Sequence, residues 1–153
     1  MGQELAHTKN YLIIQNMRYD DIVQEKIQVS QELEDVLIPK MTLQPLVENA
    51  IYHGFKVESG RKGIIEIRAF EREKCCVVQV ADNGVGMTAE QCEMLNSTIS
   101  QLASEQGYGL RNVHKRIEIL FGKGYGLHYF LRPEGGVLVE IVLPCLDRTK
   151  NGG

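Results

Sequence analysis

The stretch Gln44-Pro-Leu-Val-Glu-Asn-Ala-Ile-Tyr-His-Gly54 decides how the rest of the chain is read. With Leu43 in front, Leu46, Val47, Ala50, Ile51 and Gly54 recur at i, i+3, i+4, i+7, i+8 and i+11. That is the apolar stripe of a helix lying on a sheet. The spacing predicts a helix over about Met41–His53, with Pro39 ahead of it and Gly54 as its C-terminal cap. It also sets Glu48, Asn49, Tyr52 and His53 on an adjoining face, as the i,i+4 pairs Glu48/Tyr52 and Asn49/His53. A carboxylate beside a carboxamide can orient or deprotonate a nucleophile and hold a hard cation through oxygen. Taken alone, the face reads better as an ordinary solvated one.

Towards the N-terminus, residues 3–19 read as a helix with Leu5, Leu12, Ile13 and Tyr19 on its apolar face. Gln24–Ser30 alternates, with Ile27 and Val29 on one side, as a short strand does. Towards the C-terminus, Gly63–Phe70 and Cys75–Ala81 form a hairpin around the polar turn Glu71–Lys74. Thr88 is the expected N-cap of a short helix through Leu95, and the polar stretch Asn96–Gly107 reads as a mobile loop. A helix over Leu110–Phe121 comes next. Strands Gly126–Leu131 and Val137–Leu143 close the chain around the turn Arg132-Pro-Glu-Gly-Gly136. Helices interleaved with hairpin-linked strands predict an α/β two-layer sandwich, a mixed sheet with helices on one face.

A chain of 153 residues fits one domain and can bury roughly 70% of its unfolded surface. With 43% hydrophobic and 24% charged residues it has the composition of a soluble globule. A net charge of −3 leaves no basic stripe, which argues against nucleic acid as a partner. No apolar run approaches the ~18 residues of a membrane span, and Met1–Asn10 lacks a signal peptide's apolar region. Cys75, Cys76, Cys92 and Cys145 have no C-x-x-C spacing, so reduced thiols of a cytoplasmic protein are expected. His7, His53, His114 and His128 have no metal-ligand spacing. Neither a G-x-S-x-G elbow nor a catalytic-cysteine context occurs.

Two further stretches carry chemistry. Asp82-Asn-Gly-Val-Gly-Met87 follows an apolar strand. Its carboxylate can accept from an exocyclic amine, and its glycines allow close approach of backbone to a flat ligand. A plain strand-ending turn fits as well. Gly107-Tyr-Gly-Leu-Arg-Asn112 leads into a helix whose free N–H groups would receive phosphates. It is neither a dinucleotide fingerprint nor a Walker loop.

In their order, Leu46-Val-Glu-Asn-Ala50 with His53-Gly54, then Asp82-x-Gly-x-Gly86, then Gly107-x-Gly-Leu110 resemble the N, G1 and G2 boxes of the GHKL ATPases. That superfamily includes gyrase, the 90-kilodalton heat-shock chaperone, histidine kinases and the mismatch-repair ATPase. Within it, Gln44–Gly54, Gly107-Tyr-Gly-Leu-Arg-Asn-Val113 and Glu4-Leu-Ala-His-Thr-Lys-Asn-Tyr-Leu12 look like the LytS/YesM-type sensor histidine kinases. The resemblance runs from about Glu4 to Pro144. It implies a five-stranded mixed sheet under about three helices. Residues 1–23 would be the tail of a dimerisation and acceptor region, 24–146 the ATP-binding domain and 147–153 a disordered tail.

By the same resemblance Asp82 would bind the adenine amine in a pocket shaped by Gly84, Gly86 and Met87. Asn49 would hold Mg²⁺ against the phosphates of ATP, and Glu48 would be the base. His53 would line the site, and Gly107, Gly109 and Leu110 would close over the triphosphate. The phosphoryl group would pass to a histidine on an upstream segment, in a membrane-bound homodimer that serves a response regulator. The catalytic part would be cytoplasmic, and the isolated chain would not label itself. Three departures stand out. Tyr52 replaces the lysine of many histidine kinases, Val137 replaces the threonine usual after the final glycine pair, and no Phe-rich box lies between Met87 and Gly107. Arg111, Lys115 and Arg116 are weaker candidates for phosphate contacts. The alternative function is a nucleotide-binding interaction module without chemistry, against which the presence of both Glu48 and Asn49 argues.

Overall fold

The computed structural model describes residues 1–19, 22–55, 62–101 and 108–145. Helix α1 (Gly2–Arg18) leads into β1 (Val23–Gln28) and the short helix α2 (Gln31–Glu34). Helix α3 (Leu43–Asn49) continues without a break into a π-helical turn, Ala50–Gly54. The hairpin β2 (Gly63–Arg72) and β3 (Cys75–Asp82) follows, then α4 (Ala89–Thr98), α5 (Tyr108–Phe121), β4 (Gly126–Leu131) and β5 (Val137–Pro144). The five strands are ordered β1-β2-β3-β5-β4. Only β1 and β2 pair in parallel, and the other neighbours are antiparallel. The mixed sheet is as the hairpin-linked strands predict.

The core lies between one face of this sheet and the helices. All six stripe residues of the Leu43–Gly54 segment are buried, and they meet inward positions of the strands such as Ile65, Ile67, Val78, Val80, Ile141 and Leu143. The two-residue period of β2 shows in its alternating burial from Gly63 to Ile67. Helix α5 adds Val113 and Ile117 to the same layer.

Several boundaries differ from the sequence reading. Gly54 does not end its helix in the left-handed conformation of a capping glycine, because it is absent from the positive-φ positions. It closes a π turn instead, a wide turn common at functional sites. Ile13 is 53% exposed rather than on the inward face of α1. The residues that α1 buries are Glu4, Leu5, Thr8, Leu12 and Gln15. The strand expected over Gln24–Ser30 spans Val23–Gln28, and α2 had no periodic signal. The hairpin turn is tighter than expected, with Glu73 and Lys74 both at positive φ, the two-residue turn that matches strand twist. Asn96, Ser97 and Thr98 continue α4 rather than opening a loop. The later part of the expected loop, 102–107, and the expected tail, 147–153, lie outside the described residues.

Two asparagines fasten the outer strands. Asn16 of α1 donates from Nδ2 to the Val23 carbonyl (2.8 Å) and accepts the Val23 N–H on Oδ1 (2.9 Å). Asn96 of α4 does the same to Tyr129 in β4, at 2.9 and 2.8 Å.

Candidate functional site

The end of β3 and the turn after it are built by close backbone approach. A Cβ on Gly84 would lie 2.3 Å from the Gly54 carbonyl oxygen and 2.4 Å from the Gly54 Cα. The Val85 N–H donates to that carbonyl at 2.9 Å. A Cβ on Gly136, whose φ is +84, would lie 1.9 Å from the Asp82 carbonyl oxygen. Three loops therefore interlock without side chains between them, and Asp82 sits at their meeting point.

Asp82 is 6% exposed. Its Oδ1 accepts from the Gly84 N–H (2.8 Å) and the Val137 N–H (3.3 Å). Arg132 donates from Nη1 to the Asp82 carbonyl at 2.7 Å. Burial pushes the Asp82 carboxyl above its ordinary value, while the amides of Gly84 and Val137 and the Arg132 charge pull it back. Oδ2 accepts no hydrogen bond from the described residues, and the carboxylate faces a cavity of about 450 Å³ shared with Asn49, His53, Gly86, Met87 and Val137. One carboxylate oxygen is thus fixed by the fold and the other is left for a ligand donor.

The second wall comes from α3 and its π turn. Glu48 and Asn49 are half-buried. Glu48 accepts on Oε1 from the Gln44 side chain, one turn earlier, at 2.9 Å. Asn49, His53, Met87 and Leu95 line both the first cavity and an adjoining one of about 350 Å³. That second space also takes in Glu48, Tyr52, Gly109, Leu110 and Arg111. The cleft so runs from the Asp82 carboxylate, past Asn49, to the amino end of α5. Its volume suits a ligand of cofactor size.

Most of the residues picked from sequence meet here. Asp82, Gly86, Met87, Asn49 and His53 line the first space, and Glu48, Gly109 and Leu110 the second. Gly84 lies beneath the cleft, against Gly54. Gly107 lies outside the described residues. His53 and Tyr52 are exposed at the rim. Arg111 reaches the second space and donates to Thr98 Oγ1 at 3.3 Å. Lys115 instead pairs with Glu118 at 2.9 Å, and Arg116 donates to the Met41 carbonyl at 2.9 Å.

The sequence reading missed Gln91, Met94 and Leu95 of α4 as cleft walls. It also missed Arg132 as the partner of the Asp82 carbonyl. The capping box of Thr88 and Gln91 fixes the start of α4, and a T-x-x-Q signature marked it in advance.

No cluster of three or more metal-ligating side chains of the His, Cys, Asp or Glu kind occurs among the described residues. A hard cation such as Mg²⁺ takes oxygen ligands, commonly one or two from protein and the rest from phosphate and water. The Asn49 carboxamide, half-buried in the middle of the cleft, is a donor of that type. His114 is buried away from this chemistry. Its Nδ1 accepts the Leu127 N–H at 3.0 Å and its Nε2 lies 3.0 Å from Ser100 Oγ.

Residues 34–147 match the family described as "Histidine kinase-, DNA gyrase B-, and HSP90-like ATPase". The sensor histidine kinase YesM of Bacillus subtilis is 34% identical over 147 residues, which are 96% of this chain and 24% of that protein. The sensor protein kinase HptS of Staphylococcus aureus is 33% identical over 145 residues, 94% of this chain and 27% of the kinase. The chain thus spans about a quarter of the length of these relatives. The catalytic domain of the histidine kinase ThkA superposes with a TM-score of 0.68 at 20% identity, covering 93% of this chain and 91% of that one. The mycobacterial sensor histidine kinase MprB gives 0.56 at 14%, covering 92% and 93%. These two likenesses speak to the fold. With the five-stranded sheet, the interlocked glycine turns and a profile match over most of its length, the chain belongs to the histidine kinase-, DNA gyrase B- and HSP90-like ATPase family.

Proposed function

We propose that this chain is the ATP-binding catalytic domain of a sensor histidine kinase. The observation that carries the proposal is the single cleft with a half-used buried carboxylate, Asp82, at one end and the Glu48–Asn49 pair at the other. In this reading Asp82 Oδ2 accepts from the adenine amine. Gly84 and Gly136 let the backbone come close enough to form that pocket, and Met87 and Leu95 cover the base. Asn49 is the protein ligand for Mg²⁺, which when bound neutralises phosphate charge and draws off density at the leaving oxygen. Glu48, steadied by Gln44, orients and accepts the proton of the attacking imidazole. Gly109 and Leu110 present backbone N–H groups at the amino end of α5 to the phosphates, and Gly107 joins them by sequence.

The acceptor is a histidine of another segment of the parent protein. His53 lines the cleft itself, His114 is buried, and His128 holds the Leu127 carbonyl. His7 borders a different hollow beside Glu34 and Lys40. A response regulator downstream and a membrane-bound dimer belong to the same reading. A histidine kinase neighbour of this fold, ThkA, has been seen with the response regulator TrrA. No helix among the described residues is long and apolar enough to cross a membrane.

Calorimetry with ATP, with and without magnesium, followed by γ-labelled ATP, tests the proposal. ATP should bind, and Asn49→Ala should remove the effect of magnesium. The chain alone should take no label, while the full kinase should form acid-labile phosphohistidine. Glu48→Gln in that kinase should spare binding and slow transfer by roughly 10²–10⁴-fold. Stoichiometric acid-labile phosphate on this chain, lost in His7→Ala, would make His7 the acceptor and overturn the assignment.

A further inference from the structure

Helix α3 has no cap from its own neighbourhood. Thr42, at the N-cap position, makes no side-chain capping bond and donates its hydroxyl to the Pro39 carbonyl at 2.6 Å. The cap comes from α1. Glu4, 6% exposed, accepts the Met41 N–H on Oε1 at 2.9 Å and the N–H groups of Thr42 and Leu43 on Oε2 at 2.9 and 3.2 Å. A carboxylate at a helix start satisfies orphan donors and meets the positive end of the dipole. Supplied from 37 to 39 residues away, it also fixes one helix to another.

The third partner is α5. Arg116 donates from Nη2 to the Met41 carbonyl at 2.9 Å. Its Nε is buried with no partner among the described residues. Met41 itself has φ +59, a conformation that a long side chain holds only where its surroundings impose it. Its N–H is tied to α1 and its carbonyl to α5. Helices α1 and α3 also pack against each other directly.

We infer that Glu4, Met41 and Arg116 form a junction that positions Glu48 and Asn49 relative to the Gly109–Leu110 end of the cleft. These are positioning residues, which line neither space of the cleft. The inference rests on the reading of Asn49 and α5 as the metal-triphosphate end. The Asp82 end has further fastenings of its own, where β3 and the turn after it meet Gly54 and the Gly135-Gly136 turn. A disturbed junction should therefore weaken recognition of Mg·ATP and spare recognition of adenine.

The test compares two ligands on this chain by calorimetry, Mg·ATP and ADP without magnesium. Glu4→Gln keeps the shape and turns an amide donor towards backbone N–H groups, and Arg116→Gln withdraws the reach to Met41. Each should weaken Mg·ATP binding by about tenfold, while magnesium-free ADP stays within about twofold of wild type. The double variant should lose less than the product of the single effects, because both act through Met41. Met41→Gly, which removes the left-handed constraint, should recover part of the Glu4→Gln loss. Should Glu4→Gln fail to fold, Arg116→Gln and Met41→Gly carry the comparison alone. A purely structural role would weaken both ligands alike, and that result, or no change in either, overturns the inference. Binding of neither ligand by the wild type would instead sink the nucleotide reading on which it rests.

Discussion

Replacing Asp82 by asparagine separates what this side chain does for the fold from what it does for a ligand. The new carboxamide would keep an oxygen for the Gly84 and Val137 amides and set an NH₂ group where Oδ2 faces the cleft. The ligand-free protein should not suffer. Burial raises the carboxyl's folded pKa above its ordinary value. Stability from this group is therefore complete below that ordinary value and is lost as pH rises through the folded pKa. Above the folded pKa the ionised Asp82 is a net cost that asparagine removes. Each 1 kcal/mol recovered would raise Tm by about 2–4 °C in a chain of this size. ATP binding should move the other way. A carboxylate accepting from the 6-amino group becomes a donor facing a donor, a loss of about 1–3 kcal/mol, or about five- to 150-fold in Kd. A 6-oxo purine triphosphate offers an acceptor instead, so Asp82→Asn should narrow or reverse the preference for ATP over it. Calorimetry with both nucleotides and a thermal melt of the free protein give the readout. Equal weakening of both nucleotides would show that Asp82 does not read the amine, and a lowered Tm would refute the accounting of its buried charge.

Two glycines should respond in opposite ways. Gly84→Ala drives a methyl to within 2.4 Å of Gly54 backbone and should cost at least about 3 kcal/mol by denaturant melt. Gly109→Ala meets nothing within 4 Å and should leave the free fold unchanged or gain about 0.5–1 kcal/mol of helix propensity. If phosphates approach Gly109 as proposed, the same alanine should weaken ATP, and unchanged affinity would remove Gly109 from the site. His114 should make stability fall in mild acid. Burial lowers its pKa from 6.5, so its contribution is complete above that value and disappears as pH falls through the lower folded pKa. A His114→Gln variant should flatten the fall in stability as pH drops below 6.5, and an unchanged slope would place the titration elsewhere.

The sequence showed one layer of this protein well and another poorly. Positions that repeat with a helix or strand period announced themselves, so the Leu43–Gly54 stripe and the alternation in β2 could be placed unaided. Asp82 and Asn49 were each ambiguous alone, one in a common turn and one on a polar helix face, and only the order of the three motif stretches singled them out. Contacts between segments far apart in the chain left no such trace. Nothing local says that Glu4 caps α3 across 38 residues at Thr42, or that Arg132 holds the Asp82 carbonyl. The π turn was hidden as well, since Ala50–Gly54 keeps a helical pattern and only the nearness of the Asp82 carboxyl, whose Oδ1 would lie 3.2 Å from a Cβ on Gly54, reveals why Gly54 lacks a side chain. Ile13 misled because an exposed isoleucine and a buried one look the same in a periodicity count.

The asparagines on the two outer strands bear on how this domain behaves in concentrated solution. A sheet that ends in free strands offers rows of unpaired N–H and C=O groups to any passing extended segment. Asn16 and Asn96 each occupy one such outward pair, at Val23 and at Tyr129, with a carboxamide that imitates the next strand's peptide. At β1 the following residues Gln24, Glu25 and Lys26 are exposed and polar, so that rim resists annealing by solvation too. At β4 the exposed Phe130 and Leu131 offer no such protection, which leaves Asn96 and the helix that carries it as the guard against strand-to-strand association on that side.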